Sequence, residues 1–139
     1  MNNSLARVPM PQNEAILSYA PGSHEREVLK ATLKQMGSTV TEIPMFIGGE
    51  EVRTGKFGDC RPPHDHARLI GRYHMGTRKH AADAVRAALK ARRAWAATPF
   101  NERAAVFLRA AELLAGPYRQ VLNAATMLCQ SKSAYQAEI

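Results

Sequence analysis

The chain has 139 residues, of which 45% are hydrophobic and 22% charged, so it has room for one globular domain of ordinary composition. No apolar stretch approaches the roughly 20 residues that a membrane-spanning helix requires. The formal net charge of +7 is consistent with a nucleic-acid binder, but a basic face of a larger protein is the favoured interpretation, because no aromatic residues alternate with the basic ones.

Residues 1–22 are rich in Pro, Asn and Ser, and they predict an extended N-terminal arm. The prolines in Val8-Pro9-Met10-Pro11 disfavour a helix, and Pro21-Gly22 indicates a turn. This segment has neither the apolar core of a signal peptide nor the arginine-rich composition of a transit peptide. We therefore expect a cytoplasmic protein.

Ser23 is a good N-cap for a helix over residues 24–36, and Gly37 predicts a left-handed cap at its end. A hairpin follows, because Gly48-Gly49 separates two short strand-like runs, 43–47 and 50–52. Residues 53–67 contain several glycines and prolines and predict a loop. The alternation from Arg68 to Met75 predicts a strand, with Arg68, Arg72 and His74 on its wet face.

The hydrophobic period then changes to that of helices. An amphipathic helix of about 18 residues is predicted from Lys79, with an apolar stripe at Val85, Ala88, Leu89, Trp95 and Ala96. A second helix is predicted with Thr98 as N-cap and Pro99 first, burying Val106, Phe107, Ala110, Leu113 and Leu114. A third follows Gly116-Pro117, with an apolar face of Tyr118, Val121, Leu122, Ala125, Leu128 and Cys129. A further helix opens at Ser133, and we expect the chain to be truncated within it.

Few residues are candidates for chemistry. In His64-Asp65-His66 the two imidazoles project to opposite sides of an extended chain, so a polar loop is favoured over a metal site. Cys129 is expected to be a small core residue, and Cys60 an exposed loop thiol without an activating base. With only two cysteines, reduced thiols are expected.

Other candidates are also better explained by structure. Gly48-Gly49 belongs to no phosphate-binding motif and precedes two carboxylates, Glu50 and Glu51. Trp95 is expected in the core rather than stacked on a ligand. The basic face from Lys79 to Arg93 is expected to be solvated, with a subunit or domain contact as the alternative. On these residues, no catalytic, cofactor-binding or metal-binding residue is predicted.

One pattern resembles a known family. An Ala-rich helix, Ala81–Leu89, leads to Trp95, and a second helix ends in Leu108-Arg109-Ala110-Ala111-Glu112-Leu113-Leu114. This pair, with the hairpin at Ile47–Glu50, resembles the N-terminal helices of the aldehyde dehydrogenase superfamily. Tyr19-Ala20-Pro21-Gly22-Ser23 and Gln136-Ala137-Glu138-Ile139 resemble its pyrroline-5-carboxylate dehydrogenase branch. Cys129 stands where the branch leads us to expect a glycine.

The resemblance implies an α/β parent fold, of which this segment is mostly helical, with an arm and a small β element. Residues 23–139 would be a truncated N-terminal part of an NAD-binding domain. By the same resemblance, the whole enzyme oxidises L-glutamate γ-semialdehyde to L-glutamate with NAD, using a cysteine nucleophile, an asparagine oxyanion donor and a glutamate base. All three groups would lie beyond residue 139, so the segment alone would be inactive and bind no NAD.

The resemblance also implies a small-molecule substrate and a homo-oligomer, with no membrane or nucleic-acid partner. A bacterial cytoplasm is favoured over the mitochondrial matrix, because no long presequence precedes Val8. Two alternatives remain open: a non-catalytic helical interaction module derived from an aldehyde dehydrogenase, and a nucleic-acid binder. Successive apolar stripes favour the fragment of an enzyme, because they need a partner layer.

Overall fold

The computed structural model describes residues 10–139, which form a mixed α and β structure dominated by helices, as predicted. The elements, in chain order, are α1 (His24–Ser38), β1 (Thr41–Ile43), β2 (Met45–Ile47), β3 (Glu50–Val52), β4 (Phe57–Cys60), β5 (Gly71–His74), α2 (Arg78–Ala97), α3 (Phe100–Ala115), α4 (Arg119–Gln130) and α5 (Ala134–Glu138). Residues 10–22 contain no helix or strand and turn at Pro21-Gly22, whereas Val8 and Pro9 lie outside the described residues.

Helix α1 begins after Ser23, as predicted, but the Ser23 hydroxyl makes no capping hydrogen bond. The predicted left-handed cap at Gly37 is wrong, because the helix continues through this residue to Ser38. The hydroxyls of Ser38 and Thr39 instead donate to the carbonyl of Gln35, at 2.9 and 3.1 Å. These bonds satisfy a carbonyl at the helix end, so the end needs no glycine.

The predicted hairpin is confirmed. Strands β2 and β3 are antiparallel, and Ile47 pairs with Glu50 across a two-residue turn. Gly48 and Gly49 have φ angles of 64° and 91°, in the region where a side chain is strained. Two successive residues of this kind are typical of the turn that best matches the twist of hairpin strands.

The remaining strands form a three-stranded sheet in the order β1-β5-β4, with β1 parallel and β4 antiparallel to β5. The prediction of a loop over residues 53–67 is therefore wrong at Phe57–Cys60. Gly58 explains the error: a Cβ atom there would lie 2.2 Å from the ring of Tyr73 on the neighbouring strand. A glycine required by cross-strand packing has the same appearance in a sequence as a turn residue.

Strand β5 is shorter than predicted. The prediction that His74 lies on the solvent-exposed face of this strand is wrong. His74 is only 5% exposed, whereas Tyr73 on the opposite face is partly open. The His74 ring accepts a hydrogen bond from the backbone N–H of Thr54 at 2.9 Å. This partner lies 20 residues away in sequence, and it offsets the cost of burying a polar ring.

The first two predicted late helices are present. Helix α2 follows Thr77 and covers the predicted span, while α3 begins at Phe100 with Pro99 as its cap. The predicted N-cap, Thr98, instead ends α2, where its backbone N–H bonds to the carbonyl of Ala94. None of the helices within residues 10–139 is both long enough and apolar enough to cross a membrane.

The core lies where α1 packs on α4. Tyr19 of the arm, Leu29 of α1 and Ala124 of α4 form its centre, surrounded by Leu17, Leu33, Met36, Met127 and Ala134. Of the predicted apolar face of α4, Leu128 is buried, whereas Val121 and Leu122 are largely exposed. Asn123 takes an inward position on α4, because its side chain binds groups of the arm and of α5.

Helix α5 begins as predicted at Ser133. The Ser133 hydroxyl accepts from the backbone N–H of Gln136 at 3.3 Å, and the Gln136 side chain accepts from the backbone N–H of Ser133 at 2.9 Å. This reciprocal pair is a capping box. It sets the direction of α5, and so brings Glu138 back against α4 and the arm.

Candidate functional site

The histidine-rich loop does not gather metal ligands. His64 Nδ1 lies 2.7 Å from the Ser131 hydroxyl, and Asp65 pairs with Arg68 at 3.0 Å. His66 contributes its backbone carbonyl to Arg61. Over the range 10–139, no three His, Cys, Asp or Glu side chains are grouped as metal ligands would be. Each of these three residues makes a separate contact, and none of the contacts is shared.

The two cysteines exchange the environments expected for them. Cys60 is half-buried on β4, whereas Cys129 is exposed near the end of α4, so both exposure predictions are wrong. The reason is that Cys60 belongs to a strand, and that the buried face of α4 is centred on Ala124 and Leu128. Burial raises the pKa of the Cys60 thiol, with smaller contributions from Cys129 and Asp59. A raised pKa favours the thiol over the thiolate, which is the opposite of what a nucleophile needs.

The glycine pair and the tryptophan also lie in structural settings. A Cβ atom on Gly48 would be 3.4 Å from the Cβ atom of Ala87, so the turn lies against α2. Trp95 is 44% exposed, so the expectation of a core position is wrong within the described residues. No buried residue occurs in α2 or α3, and the apolar stripes of both helices face outward.

A buried polar cluster that the sequence did not indicate joins the arm to the last two helices. The Glu138 carboxylate has no exposed side-chain surface and forms an ion pair with Arg119. It also accepts hydrogen bonds from the Tyr19 hydroxyl at 2.6 Å, the Asn123 amide at 2.7 Å and the backbone N–H of Leu17 at 2.8 Å. The fully engaged carboxylate therefore ties residues 15–19 to α4.

This cluster is strongly biased toward the charged form of Glu138. Burial by itself would raise the pKa of this carboxyl, but the hydrogen bonds from Arg119, Tyr19 and Leu17 outweigh it and lower the pKa to about 2. Conversely, the pKa of Tyr19 is raised by burial and by its bond to Glu138. A carboxylate with so low a pKa is a weak base, so the cluster suits anchoring better than proton transfer.

Within this cluster, the backbone of Tyr19 is strained. Tyr19 has a φ of 52°, in the left-handed region that a bulky residue rarely adopts. Arg26 donates to the Tyr19 carbonyl at 3.0 Å, and Arg119 donates to the carbonyl of Ala15 at 2.6 Å. These contacts fix the course of the arm on both sides of Tyr19.

A second buried polar group connects the hairpin loop to the sheet. Backbone N–H groups of Thr54 and Gly55 both point at Nδ1 of His74, which must therefore carry no proton. The proton is on Nε2, which donates to the Glu42 carboxylate at 2.9 Å. Glu42 also pairs with Arg53, and its pKa is lowered, chiefly by the bond from His74. Both ring nitrogens are occupied, so this histidine is positioned to hold a loop.

The largest unexplained feature is the exposed apolar surface of α2 and α3. Leu89 is 60% exposed and Phe107 is 66% exposed. Val85 and Trp95 on α2 are also exposed, as are Phe100, Val106 and Leu114 on α3. Scattered apolar side chains are normal on a protein surface, but a whole apolar stripe left exposed along a helix indicates a contact surface.

Comparison with known proteins gives this arrangement a context. A sequence model described as the Aldehyde dehydrogenase family matches residues 52–139. The chain is 47% identical over 134 residues to a protein of Agaricus bisporus named Delta-1-pyrroline-5-carboxylate dehydrogenase, covering 96% of this chain and 24% of that protein. It is 36% identical over 127 residues to a mitochondrial protein of the same name from Homo sapiens, covering 91% of this chain and 23% of that protein.

Solved structures agree in fold. The Delta-pyrroline-5-carboxylate dehydrogenase from Mycobacterium tuberculosis, bound with NAD, superposes with a TM-score of 0.93 at 48% identity. The alignment covers 98% of this chain and 26% of that one. A mutant of the Thermus thermophilus 1-pyrroline-5-carboxylate dehydrogenase gives a TM-score of 0.87 at 25% identity, over 96% of this chain and 26% of that one. The chain therefore spans about a quarter of the length of the relatives that it matches.

Proposed function

Because the chain belongs to the aldehyde dehydrogenase family, we propose that it is the N-terminal part of an NAD-dependent dehydrogenase that oxidises L-glutamate γ-semialdehyde to L-glutamate. The observation that carries this proposal is 47% identity over 96% of the chain to a relative named for pyrroline-5-carboxylate. The reaction takes the aldehyde, NAD⁺ and water to the carboxylate, NADH and protons. It is a step of proline breakdown.

Neither the Gly48-Gly49 turn nor the groups around Glu138 and Glu42 are suited to holding NAD by themselves. The Gly48-Gly49 turn lies against α2, and the next residue along the chain is the acidic Glu50. The carboxylates of Glu138 and Glu42 are satisfied by their own protein partners, so neither cluster offers free donors to a pyrophosphate. We therefore place NAD binding, and the cysteine, asparagine and glutamate of the chemistry, in the part of the enzyme beyond residue 139.

The role proposed for this segment is structural. Residues 23–139 would form the first part of the NAD-binding domain, with residues 1–22 as an arm fastened through Glu138. The apolar surface of α2 and α3 would then be covered by the remainder of the same polypeptide. Burying side chains such as Leu89 and Phe107 contributes about 1.5–3 kcal/mol each, which would stabilise that packing.

The experiment is a comparison of two proteins. The intact polypeptide should reduce NAD in the presence of L-glutamate γ-semialdehyde, followed by NADH absorbance, and the 139-residue chain should show no turnover. A short-chain aliphatic aldehyde serves as the control substrate and should be used poorly. Turnover by the 139-residue chain, or an intact protein without activity on the semialdehyde, would overturn the proposal.

The partners are proposed on the same basis: a small-molecule substrate, a homo-oligomer of the intact protein, and neither membrane nor nucleic acid. Sedimentation of the intact protein tests the oligomer, and retention on DNA at physiological ionic strength tests the last point. We also propose the bacterial cytoplasm, supported by the high identity to the Mycobacterium tuberculosis protein. Relatives named mitochondrial, such as that of Mus musculus, make cell fractionation the deciding measurement.

A separate interaction module is the competing interpretation. It predicts that the 139-residue chain is compact and monodisperse and does not bind a hydrophobic dye. The fragment interpretation predicts dye binding and self-association, because α2 and α3 expose apolar side chains. Dye fluorescence with light scattering distinguishes the two.

A further inference from the structure

A cleft between α1, the loop at His64–His66 and the end of α4 is lined by three cationic side chains. Its volume is about 490 Å³, and its polar rim consists of Lys34, Arg68, Lys132, His64 and Ser131. The floor is apolar, formed by Leu33, Met127 and Leu128. The residues come from three segments distant in sequence, so the cleft is a product of the tertiary fold.

The charge in this cleft is largely uncompensated. Asp65 pairs with Nε of Arg68 at 3.0 Å, which leaves the terminal nitrogens of that guanidinium outside this contact. Across the described residues, neither Lys34 nor Lys132 takes part in an ion pair. Cations at the rim of one cleft repel each other, and an anion between them removes that repulsion.

The backbone at the rim is left-handed at Ser131, the residue that ends α4. Ser131 has a φ of 55° and a ψ of 34°, a left-handed conformation that glycine would adopt without strain. Its hydroxyl lies 2.7 Å from Nδ1 of His64. When Nδ1 carries the proton, the imidazole donates to Oγ, and the hydroxyl hydrogen remains available to a bound anion.

We infer that this cleft binds a small oxyanion with two negative charges, such as a phosphate, between Lys34, Arg68 and Lys132. Arginine and lysine with a hydroxyl are the groups that bind phosphate oxygens in proteins. The charge suits a dicarboxylate as well, so the shared chemistry is a compact dianion. This site is independent of the proposed dehydrogenase activity, because none of its residues is assigned a role in that reaction.

The test is calorimetric titration of the intact protein with sodium phosphate, against sodium chloride at equal ionic strength. Glutarate replaces phosphate in a second arm and distinguishes a phosphate site from a dicarboxylate site. Lys34→Gln and Lys132→Gln should each weaken phosphate binding about tenfold, the loss expected for one charge-assisted hydrogen bond. Lys90→Gln removes an exposed lysine of α2 that does not line the cleft, and it should leave binding unchanged.

A further variant separates binding from folding. Ser131→Gly removes the hydroxyl and also relieves the left-handed strain, so it should raise the thermal midpoint while weakening phosphate binding. Three results would overturn the inference: no saturable binding of either dianion, equal weakening by Lys90→Gln, or lysine variants that change only the thermal midpoint. The last result would mean that the lysines serve the helix ends alone.

Discussion

Replacing Glu138 by glutamine should loosen the arm from α4 and α5. The substitution preserves the shape of the side chain but removes the charge that Arg119 and Tyr19 surround. Glutamine also brings two N–H donors into a site whose surrounding groups are themselves donors. Arg119, whose side chain is only 15% exposed, would be left without its counter-ion, which is the costly half of breaking an ion pair away from solvent.

The magnitude follows from the pKa of Glu138, which falls from 4.5 to about 2 on folding. At 1.36 kcal/mol for each pKa unit, the charged form gains about 3 kcal/mol from the native contacts. A lowered pKa means that this contribution is fully present above pH 4.5 and is lost as the pH falls toward 2.

The assay is urea unfolding followed by circular dichroism at several pH values between 7 and 3, for the unmodified protein and Glu138→Gln. The free energy of unfolding should differ by about 3 kcal/mol at neutral pH, and the difference should shrink as the pH falls below 4.5. Glu27→Gln is the control, since Glu27 forms only an exposed pair with Lys30. A loss below about 1 kcal/mol, or a difference that does not change with pH, would refute the reasoning.

Three further predictions concern other parts of the chain. Gly49→Ala should lower the free energy of unfolding by about 1–2 kcal/mol, because a Cβ atom is strained at a φ of 91°, and an unchanged urea midpoint would contradict this. Iodoacetamide should label Cys129 before Cys60 in a mass-spectrometric time course, because Cys60 is half-buried with a raised pKa; the reverse order would show that β4 opens readily. Leu89→Glu should reduce hydrophobic-dye binding by the 139-residue chain with little effect on its helicity, and unchanged fluorescence would place the exposed apolar surface elsewhere.

The elements that could be predicted are those whose signals are local. The hairpin at Gly48-Gly49 depends on two adjacent glycines, and the span of α2 depends on a hydrophobic period within one helix. The start of α5 depends on Ser133 and on Gln136 three residues later. In each case the interacting groups are close in sequence, so the pattern and its cause are visible together.

The errors fall where a distant partner decides the outcome. Gly58 belongs to a strand because Tyr73 needs the space beside it, and His74 is buried because two backbone N–H groups reach its ring. Asn123, a polar residue, lies on the inner face of α4 because its side chain bonds to Glu138 and Tyr19 there. None of these partners is within helical or strand spacing of the residue that it affects.

By itself, the sequence determined the helical segments, the hairpin and the membership of the aldehyde dehydrogenase family, because periodicity, turn chemistry and family motifs are all properties of short stretches. Only the tertiary structure decided that Glu138 fastens the arm and that three distant cations share one cleft. Burial and electrostatic interaction depend on separation in space, and separation in space between distant segments is not encoded in any one stretch of chain.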